Sequence, residues 1–167
     1  MYMQRSQMFL SGHIVAEHRD LDDYLKAIYE VPNGIVDVGL NHILETEFNG
    51  GGQIATWYIG LVDNAAFSAF ADADTLSSHA GWTEFTSYTE SNRVTWAVGS
   101  AATRAISNAT TADFSINATG NLKGIFVSSN NVKSTGNTGT LWATAAFSSV
   151  VATANGDTLK VTYTVSG

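Results

Sequence analysis

The chain has 167 residues, one proline, no cysteine and a formal net charge of −7 at pH 7. A chain of this length makes one domain with a core large enough to fold without a disulfide or a metal, and the lack of cysteine excludes thiolate chemistry and Cys-type zinc sites. Acidity without any Lys/Arg cluster disfavours nucleic-acid binding, which rests on neutralising phosphates, and no run approaches the roughly 18 apolar residues of a membrane span.

The amino-terminal stretch "MYMQRSQMFLSG" carries Met1, Tyr2, Met3, Met8, Phe9 and Leu10 with little charge. It lacks the sustained apolar run of a signal peptide, so a soluble protein is expected. Too short to form a core, it reads as an arm that orders against another surface. The following "GHIVAEHRDLDDYLKAIYEV" admits two readings. Leu21, Leu25 and Ile28 share a helical face; alternatively, two strands turn at the acidic cluster Asp20, Asp22 and Asp23. The β-prone Ile28, Tyr29 and Val31 favour the hairpin, with Pro32 closing it.

"VDVGLNHILETEFNG" is the clearest helix, expected over residues 37–48. Leu40, Ile43, Leu44 and Phe48 fall at i, i+3, i+4 and i+8 and form one apolar stripe. Asp37 suits the N-cap and Asn49-Gly50 the C-cap. Acidic residues crowd residues 1–50 and thin out beyond "NGGG", Asn49 to Gly52. The chain is therefore divided into an N-terminal arm, residues 1–50, and a β-rich body, residues 51–167.

The body reads as strands. "QIATWYIGLVD" puts Trp57, Ile59 and Leu61 on one face. "ADFSINA" alternates Ala112, Phe114, Ile116 and Ala118 inward against Asp113, Ser115 and Asn117. "LKGIFV" and "TLWATAAF" are apolar runs covered on both faces, and "DTLKVTYTV" alternates Leu159, Val161, Tyr163 and Val165 against polar neighbours. Turn signals separate them, among them Asn155-Gly156. The expected fold is mainly β: an antiparallel β-sandwich or barrel with an N-terminal extension and one short amphipathic α-helix.

Candidate chemistry centres on "DADTLSSHAGWTEFTSYTE", where Asp74, Ser77, Ser78 and His79 crowd six positions beside Trp82 and Phe85. The types are those of a Ser-His-Asp triad. Triad members normally come from separate elements, however, and no G-x-S-x-G elbow is present. The stretch reads instead as a turn from Asp74 to His79, with His79, Trp82 and Phe85 anchoring it to the body. His13, His18, His42 and His79 are scattered without ligand spacing, and the Asp20–Asp23 cluster lacks the glycine and terminal glutamate of a calcium loop. Glu84 and Glu90, beside aromatics, are the one carboxylate pair with a glycosidase-like setting. The sequons at Asn108 and Asn117 read as chance in a Thr-rich chain. No nucleotide-binding glycine loop occurs, and no cofactor is expected.

The order of pieces carries more than any one of them. "GLNHIL", "TWYIGLVDN", "ADTLSSHAGWTEFTSYTE", "ADFSINATG", "LKGIFV", "TGTLWATAAF" and "NGDTLKVTYTVS" follow one another from roughly residue 30 to the end. In that order they resemble small structural proteins of tailed bacteriophages, most closely the capsid decoration, or cement, group. The resemblance implies a non-enzymatic virion protein on the capsid exterior. It would bind the major capsid protein and itself, as a homotrimer at local three-fold positions, with no nucleic acid or membrane as partner. A tail or fibre component contacting the host surface is the alternative. In the decoration-protein reading, the interface with the capsid and with other subunits would use Met3, Met8, Phe9, Leu10, Ile14, Tyr24, Ile28 and Tyr29.

Overall fold

A computed structural model describes residues 9–167, so the interface expectations for Met3 and Met8 lie outside the described residues. In chain order the elements are β1 (Ser11–Arg19), β2 (Leu25–Ile35), α1 (Asp37–Phe48), β3 (Tyr58–Asp63), β4 (Thr83–Phe85), β5 (Val94–Thr95), β6 (Ala105–Ser107), β7 (Ala112–Ser115), β8 (Gly120–Ser128), β9 (Leu141–Thr153) and β10 (Thr158–Ser166). The strands hydrogen-bond antiparallel in the order β4-β3-β8-β9-β2-β1-β10-β6, with β5 added to β3 and β7 to β10. The protein is mainly β, and its sheet curls into a half-barrel.

Residues 11–35 form the hairpin. Asp20 Oδ1 accepts hydrogen bonds from the backbone N–H groups of Asp22 and Tyr24, and Asp23 takes a positive φ of 62° that an Asp tolerates in a turn. Pro32 does not close the hairpin, because β2 runs on to Ile35. Proline offers no ladder donor, and β2 meets β9 only at Gly34 and Ile35, so the side of β2 away from β1 needs none at Pro32.

The hairpin is part of the sheet rather than an arm beside it. β1 pairs with β10 along its whole length, from Ser11↔Ser166 to Arg19↔Thr158. Period-two alternation turns Gly12, Ile14, Ala16 and His18 inward. Ile14, Ala16 and Val31 therefore share one core with Phe114, Leu159, Val161 and Tyr163. This corrects the division at residue 50, and it withdraws Ile14, only 1% exposed, from any partner surface.

The alternation read in the body is present. Leu159, Val161, Tyr163 and Val165 are buried along β10, and Ala112, Phe114 and Ile116 point into the same core. β3 is covered on both faces: Ile59 and Leu61 enter the main core, while Val62 joins a second cluster with Val36, Leu76, Trp82, Phe126 and Leu141.

α1 occupies the expected span, with two differences. Val36 stands at the N-cap without a side-chain hydrogen bond, and Asp37 is the first helical residue. At the other end Asn49 is the C-cap, its N–H and that of Gly51 donating to Glu45 O, with Gly50 at φ 71° between them. The apolar stripe turns largely outward: Leu40, Leu44 and Phe48 are exposed and Ile43 half-buried. The helix docks instead through Gly39, where a Cβ would lie 2.6 Å from the carbonyl oxygen of Trp142.

Candidate functional site

The segment around His79 is a closed structural loop. Thr75 and Ser78 exchange backbone hydrogen bonds in a tight turn, and Thr75 Oγ1 also accepts from the Ser78 N–H. Asp74 Oδ2 accepts from Trp82 Nε1 and from the Ala71 N–H, both at 3.0 Å. His79 Nδ1 donates to Trp82 O at 3.0 Å, and its ring stacks on the Trp82 indole at 3.8 Å. Ser77 Oγ is paired with Thr75 Oγ1. Asp74, His79 and the Ser77 hydroxyl each bond elsewhere, so these side chains are not linked as a Ser-His-Asp relay. Trp82 is buried in the second cluster, Phe85 in the main core, and His79 is half-buried between loop and solvent.

The carboxylates singled out by aromatic neighbours are also committed. Glu84 receives two parallel bonds from Arg93, Nε to Oε1 and Nη2 to Oε2, each 2.9 Å, and a third from the Ser134 N–H. Arg93 further donates to the carbonyls of Asn130 and Gly136, and its guanidinium sits 4.9 Å from the Phe126 ring centroid. Glu90 accepts from the Ser115 N–H. Glu84 is thus a clamp on the 130–136 loop and not one half of an acid pair. The sequon at Asn108 is equally occupied: its Oδ1 accepts from Trp96 Nε1 and the Tyr163 N–H, and its Nδ2 donates to the carbonyls of Thr110 and Val161.

A third polar centre joins the ends of β1, β2 and β10. Asp157 Oδ2 accepts from His18 Nε2 at 2.7 Å, from Lys26 Nζ at 2.8 Å and from the Ala154 N–H at 2.8 Å. Burial disfavours the charged carboxylate, but these donors outweigh it and hold Asp157 below the ordinary carboxyl range. No group of three or more His, Asp or Glu side chains arranged to hold a metal ion occurs among the described residues.

What faces solvent is apolar to an unusual degree at one end of the chain. Among the described residues, eight of the eleven exposed large hydrophobics fall within residues 9–48: Phe9, Leu21, Tyr24, Leu25 and Ile28 on and around the hairpin, and Leu40, Leu44 and Phe48 on α1. Of the residues expected at an interface, Phe9, Tyr24 and Ile28 are exposed, at 70%, 72% and 50%. Leu10 is half-buried against the core, and Tyr29 packs on Phe147 with ring centroids 5.4 Å apart.

Sequence reading did not find the cavity at the mouth of the half-barrel. Trp57, Trp96 and Trp142 line it together with Leu10, Ile43 and residues of α1. The tryptophans are about 40 positions apart in the chain, so no spacing betrays them; only their scarcity, four in the whole sequence, marks them out.

No family model matches the chain, and no curated protein matches it. Among the described residues no helix is long and apolar enough to cross a membrane.

Proposed function

We propose that this chain is a non-enzymatic structural protein of a tailed bacteriophage, binding the outside of the capsid shell as a decoration protein. The observation that carries the reading is the concentration of exposed apolar side chains in residues 9–48, on α1 and on a hairpin whose first strand pairs with β10 along its length. Large apolar side chains left exposed on a few elements are surface that a partner can cover. The ordered motifs from residue 30 onward supply the kind of partner, a virion shell. A protein that binds only the expanded shell stabilises that state by its own binding free energy. Homotrimeric assembly at local three-fold positions belongs to the same proposal.

The test mixes purified protein with expanded phage capsids and measures binding and location together. Label on the head surface and a capsid made more resistant to heat are the expected results. The variant Leu21→Asp/Tyr24→Asp/Ile28→Asp should bind at least about tenfold more weakly, the equivalent of ~1.4 kcal/mol, while its circular dichroism is unchanged. Label confined to the tail would replace this reading with the tail or fibre alternative, and undiminished binding by the variant would remove the hairpin from the interface.

A further inference from the structure

We propose that the mouth of the half-barrel binds a small organic cation, an apolar body carrying an ammonium head. The cavity there measures about 330 Å3, within the range of small-molecule sites, which favour barrel mouths. Its walls include three indoles beside aliphatic side chains such as Ile43, Ile54 and Ile106. The Trp57 and Trp142 ring centroids stand 5.9 Å apart at 53°, so the two rings form a corner instead of a stack.

Two of the three rings offer surface and little else. Trp96 Nε1 is already spent on Asn108 Oδ1 and Tyr163 O, and Trp142 Nε1 on the Tyr163 hydroxyl. Hydrogen-bonding groups reach the cavity chiefly from α1 and the segment after it, through His42, Thr46, Glu47 and Gln53. Thr46 Oγ1 has no hydrogen-bond partner among the described residues. Glu47 is the one carboxylate in the described lining, and no Lys or Arg of the described residues contributes to it.

That charge pattern selects the ligand. Indole faces carry the negative side of the ring quadrupole and attract cations, and Glu47 adds a full negative charge at the rim. A carboxylate or phosphate head would meet repulsion from both. A sugar would need polar partners around its whole ring, whereas here they stand on one side. An apolar body against the indoles with an ammonium head at Glu47 satisfies both halves of the cavity.

The proposal does not depend on the capsid reading: its residues lie apart from the hairpin substitutions that test that reading, so either can fail alone. The experiment titrates the full chain with 2-phenylethylamine, 2-phenylethanol and phenylacetate, matched in size and differing in head charge. Tryptophan fluorescence and calorimetry are the readouts. The amine should bind saturably and about tenfold more tightly than the alcohol, with the carboxylate weakest. Glu47→Gln, at an exposed helix position, should shrink the amine's advantage over the alcohol to the part the indoles supply and leave the alcohol unchanged. Equal affinity for amine and carboxylate, an amine preference undiminished by Glu47→Gln, or no saturable binding up to about 10 mM would overturn the assignment.

Discussion

The hydroxyl oxygen of Tyr163 accepts a hydrogen bond from Trp142 Nε1 at 2.8 Å, tying β10 to β9 through the core. Asn33 Nδ2 on β2 donates to the same oxygen at 2.9 Å, so one phenol joins three strands. Gly12 makes room for that amide, since a Cβ there would collide with Asn33. Tyr163→Phe strands two donors and should cost about 1–3 kcal/mol. Tyr88 is the converse case. Its hydroxyl is buried without a partner among the described residues, and burial pushes its pKa well above the ordinary tyrosine value, keeping it neutral. Tyr88→Phe should therefore be neutral or stabilising, by up to about 1 kcal/mol. Urea unfolding of both variants checks the contrast, which equal losses would contradict.

The Glu84–Arg93 pair is nearly sealed from water, with side chains 8% and 4% exposed. Arg93→Met leaves the Glu84 carboxylate buried and unpaired, and the expected loss is about 3–5 kcal/mol. Glu84→Leu combined with Arg93→Met should recover a large part of it, because the stranded charge is gone. Chemical denaturation of the single and double variants measures this; a double variant no better than Arg93→Met would show that the carbonyl contacts of Arg93 dominate.

Asp157 sets a pH dependence of known sign. Its folded pKa lies below its ordinary value: burial opposes ionisation, and Lys26, the Ala154 N–H and His18 more than offset it. A carboxyl of this kind contributes stability that is complete above its unfolded pKa, near 4, and is lost as pH falls through the folded value. Melting temperatures between about pH 2 and 7 should fall on the acid side, and Asp157→Asn should be less stable at neutral pH with a shallower acid slope. An unchanged slope in the variant would assign the acid loss to other groups.

Gly39 reverses the usual rule for glycine in helices. Gly→Ala inside a helix ordinarily gains about 1 kcal/mol from propensity. At Gly39 the new Cβ would press on the Trp142 carbonyl at 2.6 Å and on its Cα at 3.1 Å, forcing α1 off β9. Gly39→Ala should destabilise, while Asn41→Ala on the exposed side of the same helix should stabilise by about 0.5 kcal/mol. Thermal melts of the two variants moving in the same direction would refute the docking role.

Local patterns were readable where one side chain's environment depends on its near neighbours. The alternation in β7 and β10, the hairpin turn at Asp20–Asp23 and the span of α1 are of that kind. Partners distant in sequence were not. The fall in charge density after residue 50 looked like a boundary, yet it reflects the solvated turn of the hairpin and the exposed face of α1. The helical stripe identified a face without saying what lay opposite, and the docking contact fell to a glycine that hydropathy ignores. At the loop, the misleading signal was adjacency of Ser and His; the informative one was Trp82, whose indole N–H takes the Asp74 carboxylate out of play. The indoles around the cavity leave no local trace at all, because each is placed by a different strand or loop.

The pairing of β1 with β10 also fixes a schedule. Ser11 lies beside Ser166, their hydroxyl oxygens 3.2 Å apart, across a separation of 155 residues. As the chain leaves the ribosome, the β1–β2 hairpin can form early but keeps one edge without a partner until β10 has been made. Such non-local closure is slow. The inward residues of that waiting hairpin, Ile14 and Val31 foremost, stay open to water and to other chains until β10 arrives, so yield in expression should track how quickly the last strand is delivered.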